Sequence, residues 1–282
     1  MSAPVIDAGI VGVTAGPLAC AVDARWLMAY AAAVGETDAR YYDTTAPGGP
    51  LAHPLFPVCY EWPVAVALRA KTIDAALAPL GVHVLHNLFV HRPPRAGDSL
   101  RTSARVTAVQ RRQRGTLVVV RFTTVDRTGV PVSTTDYGSL YRGVDLRGDA
   151  AGPAWDAGDG DGAAVRWTDE LAVAAQAAHL YTEGARIYNP IHTDLAVARA
   201  AGLPGLILHG TATLALAVSR VVARDLAGDP TAVRGAAGRF TGMVTLPARL
   251  TVRGHDAAGA QLVFDALDAA GRPVLSDGVV TR

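Results

Sequence analysis

Cysteine, aromatic side chains, net charge and long apolar runs are all scarce in this chain, and each scarcity removes a class of answer. The 282 residues hold two cysteines, Cys20 and Cys59, at a spacing that suits neither a zinc site nor a disulfide framework. A reduced, cytoplasmic setting is therefore expected. Aromatic residues make up 6% of the chain while hydrophobic residues make up 50%, so the core must be assembled from Ala, Val and Leu. A formal net charge of +1 gives no overall attraction to nucleic acid or to an anionic membrane, and neither partner is expected. No stretch reaches the ~20 uninterrupted apolar residues of a membrane span. Leu206 to Ala223 comes nearest, but His209, Thr211, Thr213, Ser219 and Arg220 punctuate it, and it is expected to be a buried helix. Met1 to Gly16 lacks a basic segment ahead of an apolar core, so no secretory leader is expected.

What is present is enough apolar material for two domains of ordinary size. Asp145 to Ala164, DLRGDAAGPAWDAGDGDGAA, is rich in Gly, Asp and Ala and has little apolar periodicity. It is read as a linker over 146–165, separating an N-terminal unit, 1–145, from a C-terminal unit, 166–282. In the second unit Thr168 is placed to cap a helix. A polar loop with Tyr188, Asn189, Pro190 and His192 follows. A short helix runs from Asp194 to Gly202, and a long apolar one from Gly210 to Gly228. Strand-like segments then cover Arg239–Val244, Arg249–Gly254, Gln261–Leu267 and Val274–Thr281.

The first unit repeats the scheme, with a helix from Asp23 to Val34 and a helical stretch over Val58–Ala70 that Pro63 interrupts. Strands are expected at Val82–Arg92, Ser99–Gln110, Thr116–Val125 and Val130–Tyr141. The fold class is thus α+β, two antiparallel sheets each wrapped around a long buried helix. That is the double hotdog arrangement.

The most informative string is Arg186-Ile-Tyr-Asn-Pro-Ile-His192-Thr-Asp194, followed by Leu203-Pro-Gly-Leu-Ile-Leu-His-Gly210. A neutral imidazole such as His192 can take a proton from water near pH 7. A helix start at Gly210 offers unpaired N–H groups to a developing oxyanion, and glycine lets a carbonyl approach the backbone. His209 suits a buried, hydrogen-bonded position ahead of that helix, and Asp194 suits an N-cap. Together the two strings resemble the signature of the MaoC-like, (R)-specific enoyl-CoA hydratases (hydratase 2), which runs Asp-x-Asn-Pro-Leu/Ile-His-x-Asp and then Pro-x-Leu-His-Gly. His91-Arg-Pro-Pro-Arg-Ala-Gly-Asp98 and Arg239-Phe-Thr-Gly-Met-Val244 resemble further family segments, in the right order.

The resemblance implies a cofactor-independent hydro-lyase acting on an enoyl or 3-hydroxyacyl thioester of CoA or acyl carrier protein, as a monomer or homodimer. His192 would be general base and acid, and Gly210 the oxyanion donor. One departure matters. The Asp that the family places five residues before the His is Ile187 here, and an apolar side chain carries no proton. Glu183, four residues earlier, would share the face of Ile187 if the preceding helix continued that far. Tyr188 and Tyr181 are further stand-ins, and Asp136 or Tyr137 can arrive from the other unit. Asn189, Ile187, His209, Asp136 and Tyr137 form the candidate substrate-contacting set. Other readings stay open: an isomerase or cyclase of a related acyl substrate, a non-catalytic acyl-thioester binder, and a hotdog thioesterase. Arg92, Arg95, Arg111, Arg112 and Arg114 either meet CoA phosphates or are ordinary turn and strand-end residues.

Overall fold

Alternation of apolar and polar residues with a period of two builds most of the molecule. Leu100, Thr102, Ala104 and Val106 are buried along one strand while Ser99, Arg101 and Arg105 face out, as a half-buried antiparallel strand requires. The computed structural model describes residues 4–154, 164–257 and 259–282. In chain order the first half contains β1 (Val5–Asp7), β2 (Thr14–Ala21), α1 (Ala24–Ala33), α2 (Pro57–Thr72), β3 (Gly81–Val90), β4 (Ser99–Arg112), β5 (Gly115–Asp126), β6 (Pro131–Arg142) and β7 (Asp145–Arg147). The second contains β8 (Val165–Val173), α3 (Ala177–Ala185), α4 (Leu195–Ala200), α5 (Gly210–Asp225), β9 (Gly235–Phe240), β10 (Ala248–His255), β11 (Gln261–Asp268) and β12 (Pro273–Thr281).

The strands β2-β4-β5-β6-β3 lie side by side, and β9-β12-β11-β10-β8 continue the same sheet. Counted from β2 in the first half and from β8 in the second, the order from the outer edge inward is first, third, fourth, fifth, second, and the helices lie between the first and second strands; β1 pairs with β7 apart from this sheet. The halves meet where the two second strands pair antiparallel, Leu85 with Arg239 through Phe89 with Gly235. The molecule is a double hotdog, with its two sheets fused into one of ten strands. Residues Ala212, Leu214, Ala215, Ala217, Val218, Val221 and Val222 of α5 are buried within the second half. Val58, Tyr60, Val64 and Leu68 of α2 are buried within the first. Among the described residues no helix is long and apolar enough to cross a membrane, and the run from Leu206 is accounted for by α5.

Several expectations need correction. Thr168 is no helix cap; it pairs with Arg253 inside β8. Neither half opens on a helix: an outer strand, β2 or β8, precedes it. The strand expected over Arg239–Val244 covers Gly235–Phe240 instead; its start is the small-residue run Gly235-Ala-Ala-Gly238, where Leu275 of β12 and Leu214 of α5 crowd Gly238. Pro63 lies within a continuous α2, on its exposed side. Of the expected linker, residues 155–163 lie outside the described residues, while Leu146 and Arg147 belong to β7 and Val165 to β8.

Candidate active site

The His192 loop is formed by a helix that stops early and a chain that turns inward. Arg186 takes a left-handed backbone conformation (φ 57°) and ends α3, with its guanidinium 4.0 Å from the Trp26 ring centre. The reversal turns Ile187 inward, 5% exposed, and Tyr188 outward, 59% exposed. Asn189 leads into a single 3-10 turn over Pro190–His192 without making a side-chain cap. Asp194 then caps α4 by accepting from the amides of Ala196 and Val197.

The chain returns past Ile207 and Leu208, whose amide donates to the Val244 carbonyl at 2.8 Å. His209 stands at the N-cap position of α5, and Gly210 is its first residue. The first-turn amides of any helix lack intrahelical acceptors, so a partial positive charge gathers at Gly210. A Cβ at that position would come within 3.2 Å of the Phe240 ring, which leaves glycine as the residue that fits comfortably.

The His192 ring is held in one orientation. Its Nδ1 lies 2.9 Å from the Ile207 carbonyl oxygen, which can only accept, so Nδ1 carries the hydrogen and Nε2 keeps its lone pair. The ring stacks on His209 at 3.7 Å between centroids, 25° off parallel. Burial pushes His192 down to about 4, so the imidazole is neutral at pH 7. His209 is also held neutral, by burial and then by the adjacent His192, and its Nε2 is 3.3 Å from Thr182 Oγ1.

One cavity joins these groups to the other half of the molecule. Its wall includes Ile187, Asn189, His192, His209, Gly210 and Phe240, and also Glu61, His83, His86 and Tyr137. Five of the residues expected from sequence therefore come together with His192: Gly210, His209, Asn189, Ile187 and Tyr137. Glu183 and Tyr188 do not join them. Arg186 breaks the helix before the face of Glu183 can extend to Ile187, and Glu183 is exposed. Asp136 is buried but turned away, with both carboxylate oxygens held at 2.7 Å by Arg121. Alternation along β6 explains why its neighbour Tyr137 points into the cavity instead. Among the candidate phosphate contacts, Arg92 is held by Asp98 and Asp126, and Arg111 donates to the Leu146 carbonyl.

Glu61, His83 and His86 were not foreseen. Glu61 is the only carboxylate lining the cavity among the described residues, 4% exposed, and it accepts from Thr135 Oγ1 at 2.6 Å. Burial raises it to about 8, so it is protonated at neutral pH. A charge in the otherwise apolar run Val58–Leu68 was the available signal.

The comparisons with known proteins bear on the two halves of the chain and on their fold. Residues 161–267 match the model of the MaoC like domain, and residues 9–135 match the FAS1-like, dehydratase domain region. The MaoC like domain model thus covers most of the second half of the chain. The MaoC-like half holds the His192 loop and the Gly210 helix start, and the dehydratase-region half supplies α2, β3 and β6 to the same cavity. The chain is 30% identical over 185 residues to the enoyl-CoA hydratase ChsH3 of Mycobacterium tuberculosis, covering 64% of this chain and 62% of that protein. It is 47% identical over 53 residues to the peroxisomal enoyl-CoA hydratase 2 of Arabidopsis thaliana, covering 19% of this chain and 17% of that protein. The match thus spans less than two thirds of either curated relative. Among solved structures, a MaoC-like dehydratase from Phytophthora capsici superposes with a TM-score of 0.86 at 20% identity, covering 96% of this chain and 95% of that one.

Proposed function

We propose that the chain is a hydro-lyase that adds water to, or removes it from, the acyl group of an enoyl or 3-hydroxyacyl thioester. The observation that carries this is the pairing of His192 with the Gly210 helix start in one cavity, His192 neutral and its Nε2 unprotonated. In the hydration direction, Nε2 takes a proton from water while the water oxygen bonds to C3. The electron pair of the double bond moves toward the thioester oxygen, where the Gly210 amide meets the negative charge. The imidazolium then returns its proton to C2, and dehydration is the same path reversed. No external acid or base is consumed.

The relatives named enoyl-CoA hydratases support a CoA thioester as the first substrate to try, with a carrier-protein thioester as the second. Arg69 and Arg142 are the cationic residues of the cavity wall among the described residues, suited to the anionic arm of either carrier. A thioesterase reading is weaker, because burial keeps Glu61 protonated and so unable to activate water. The test is hydration of a panel of 2-enoyl thioesters on both carriers. His192→Ala is expected to lower kcat by ~10²–10⁴-fold. Full activity in that variant removes the imidazole from the reaction, and release of free thiol by the wild type restores the thioesterase reading.

A further inference from the structure

A second polar cluster lies in the same cavity, on the wall contributed by the first half of the chain. His86 stands opposite Tyr137 in the β3–β6 register and opposite Gly238 in β9. The His83 ring stacks on Tyr137 at 3.7 Å and meets His86 edge-on at 5.5 Å. Glu61 descends from α2 onto Thr135, two residues before Tyr137 on the same face of β6. The link to the reaction centre is short. His83 lies 4.7 Å from the Phe240 ring, the same ring that crowds Gly210.

His86 has no partner to account for its place there. It is 1% exposed, and among the described residues neither Nδ1 nor Nε2 makes a hydrogen bond. Buried polar atoms without partners are rare in folded proteins and call for an explanation. Lining a cavity built to take a ligand supplies one. A neutral imidazole offers one N–H and one lone pair, and a protonated carboxyl offers an O–H. Burial keeps both His86 and Glu61 uncharged at neutral pH, so the cluster suits a neutral oxygen.

From this geometry we infer that Glu61 and His86 bind an uncharged oxygen, hydroxyl or keto, carried by the acyl group beyond C3 of the thioester. The inference rests on the hydro-lyase reading for where the acyl group lies: a chain whose carbonyl rests at Gly210 passes Phe240 and reaches this cluster. A plain alkyl chain filling the same space would leave both buried His86 nitrogens without partners and is discriminated against. Sites built to hydrogen-bond a substrate group reject analogues that lack it far more strongly than apolar pockets reject a missing methylene.

The experiment is calorimetric titration of the full chain with saturated medium-chain acyl-CoAs, which cannot be hydrated; the 3-hydroxy member, which can be dehydrated, is titrated into the His192→Ala variant beside the unsubstituted chain. The series comprises the unsubstituted chain, the 3-hydroxy chain, and chains bearing a hydroxyl or keto group at successive carbons farther out. At one of the outer positions Kd is expected to fall at least about tenfold relative to the unsubstituted chain. His86→Leu is expected to erase that preference while binding the unsubstituted chain at least as well. Equal affinity across the series overturns the inference, and so does tightening by the 3-hydroxyl alone. Should the leucine variant not fold, the wild-type series still decides. Failure to bind the acyl chains on either CoA or a phosphopantetheine-loaded carrier protein overturns the inference together with the hydro-lyase reading. Binding without an oxygen preference overturns the inference alone.

Discussion

Ile187 is the residue at which the chain departs from the hydratase 2 signature, and its position makes the departure testable. The side chain is 5% exposed and lines the cavity with His192, where the signature has its aspartate. Ile187→Asp would restore a proton-carrying group beside the imidazole. One positioned acid–base group is worth ~10²–10⁴ in rate when correctly held, so a rise in kcat for hydration of at least about tenfold is expected. The same substitution buries a carboxyl in an apolar setting and is expected to lower stability by about 2 kcal/mol, read as a drop in Tm. Ile187→Asn, polar but without a carboxyl, should show the stability loss without the gain in rate. A kcat unchanged in the aspartate variant means that the chemistry does not run through that position.

At the scale of elements, the halves are held together by more than the β3–β9 seam, because α1 of the first half packs on α3 of the second through Gly184. A Cβ there would lie 2.5 Å from Ala33 Cβ and 2.7 Å from the Ala29 carbonyl oxygen, and Trp26 Nε1 donates to the Gly184 carbonyl at 3.0 Å. Helix propensity alone favours Gly184→Ala by ~1 kcal/mol. The clash is with a Cβ and a backbone oxygen, neither of which can rotate aside, and overpacking of this kind costs ~1–3 kcal/mol. Net destabilisation of up to about 2 kcal/mol is therefore expected in urea denaturation, and a stabilised variant would show that the helices can part freely. Tyr181 of α3 donates to Thr211 Oγ1 at 2.9 Å, one residue past Gly210, so kcat is expected to fall with stability.

How much of this was legible in sequence depended on burial. The meander β3–β6 could be placed from sequence because its strands alternate, and helix α5 because its run is apolar on nearly every side. Strands β2 and β8 were missed, and both are the outer edges of the sheet, where most residues face out and the pattern fades. The His192 loop and Gly210 were visible because their motif is local. Glu61 and His86 were not, because one reaches the cavity through the packing of α2 over Thr135 and the other through long-range strand pairing.

Across the whole molecule, buried titratable groups set the pH window in which the fold holds. His53, His86 and His192 are lowered by burial to about 3, about 4 and about 4, from an ordinary value of 6.5. For each, the unfolded chain binds a proton that the folded one refuses, so stability is full above about 6.5 and lost as pH falls toward the folded values. Glu61 acts in the opposite sense. Raised from 4.5 to about 8, it keeps its proton in the fold while the unfolded chain releases one, so stability declines as pH rises from about 4.5 to about 8. Glu36 is raised in the same direction by burial. Burial lowers His83 and His209 in the same direction, so below about 6.5 the histidines outnumber the carboxyls and the slope is positive; above it the carboxyls act alone and the slope is negative. Maximal stability is thus expected near pH 6.5, measured as the denaturation midpoint across a pH series. Glu61→Gln keeps the shape and removes the proton, so the decline between about 6.5 and 8 should shrink by on the order of 2 kcal/mol. If the descending limb is identical in wild type and variant, Glu61 is ionised in the fold, and the uncharged cluster inferred around His86 loses its carboxyl donor.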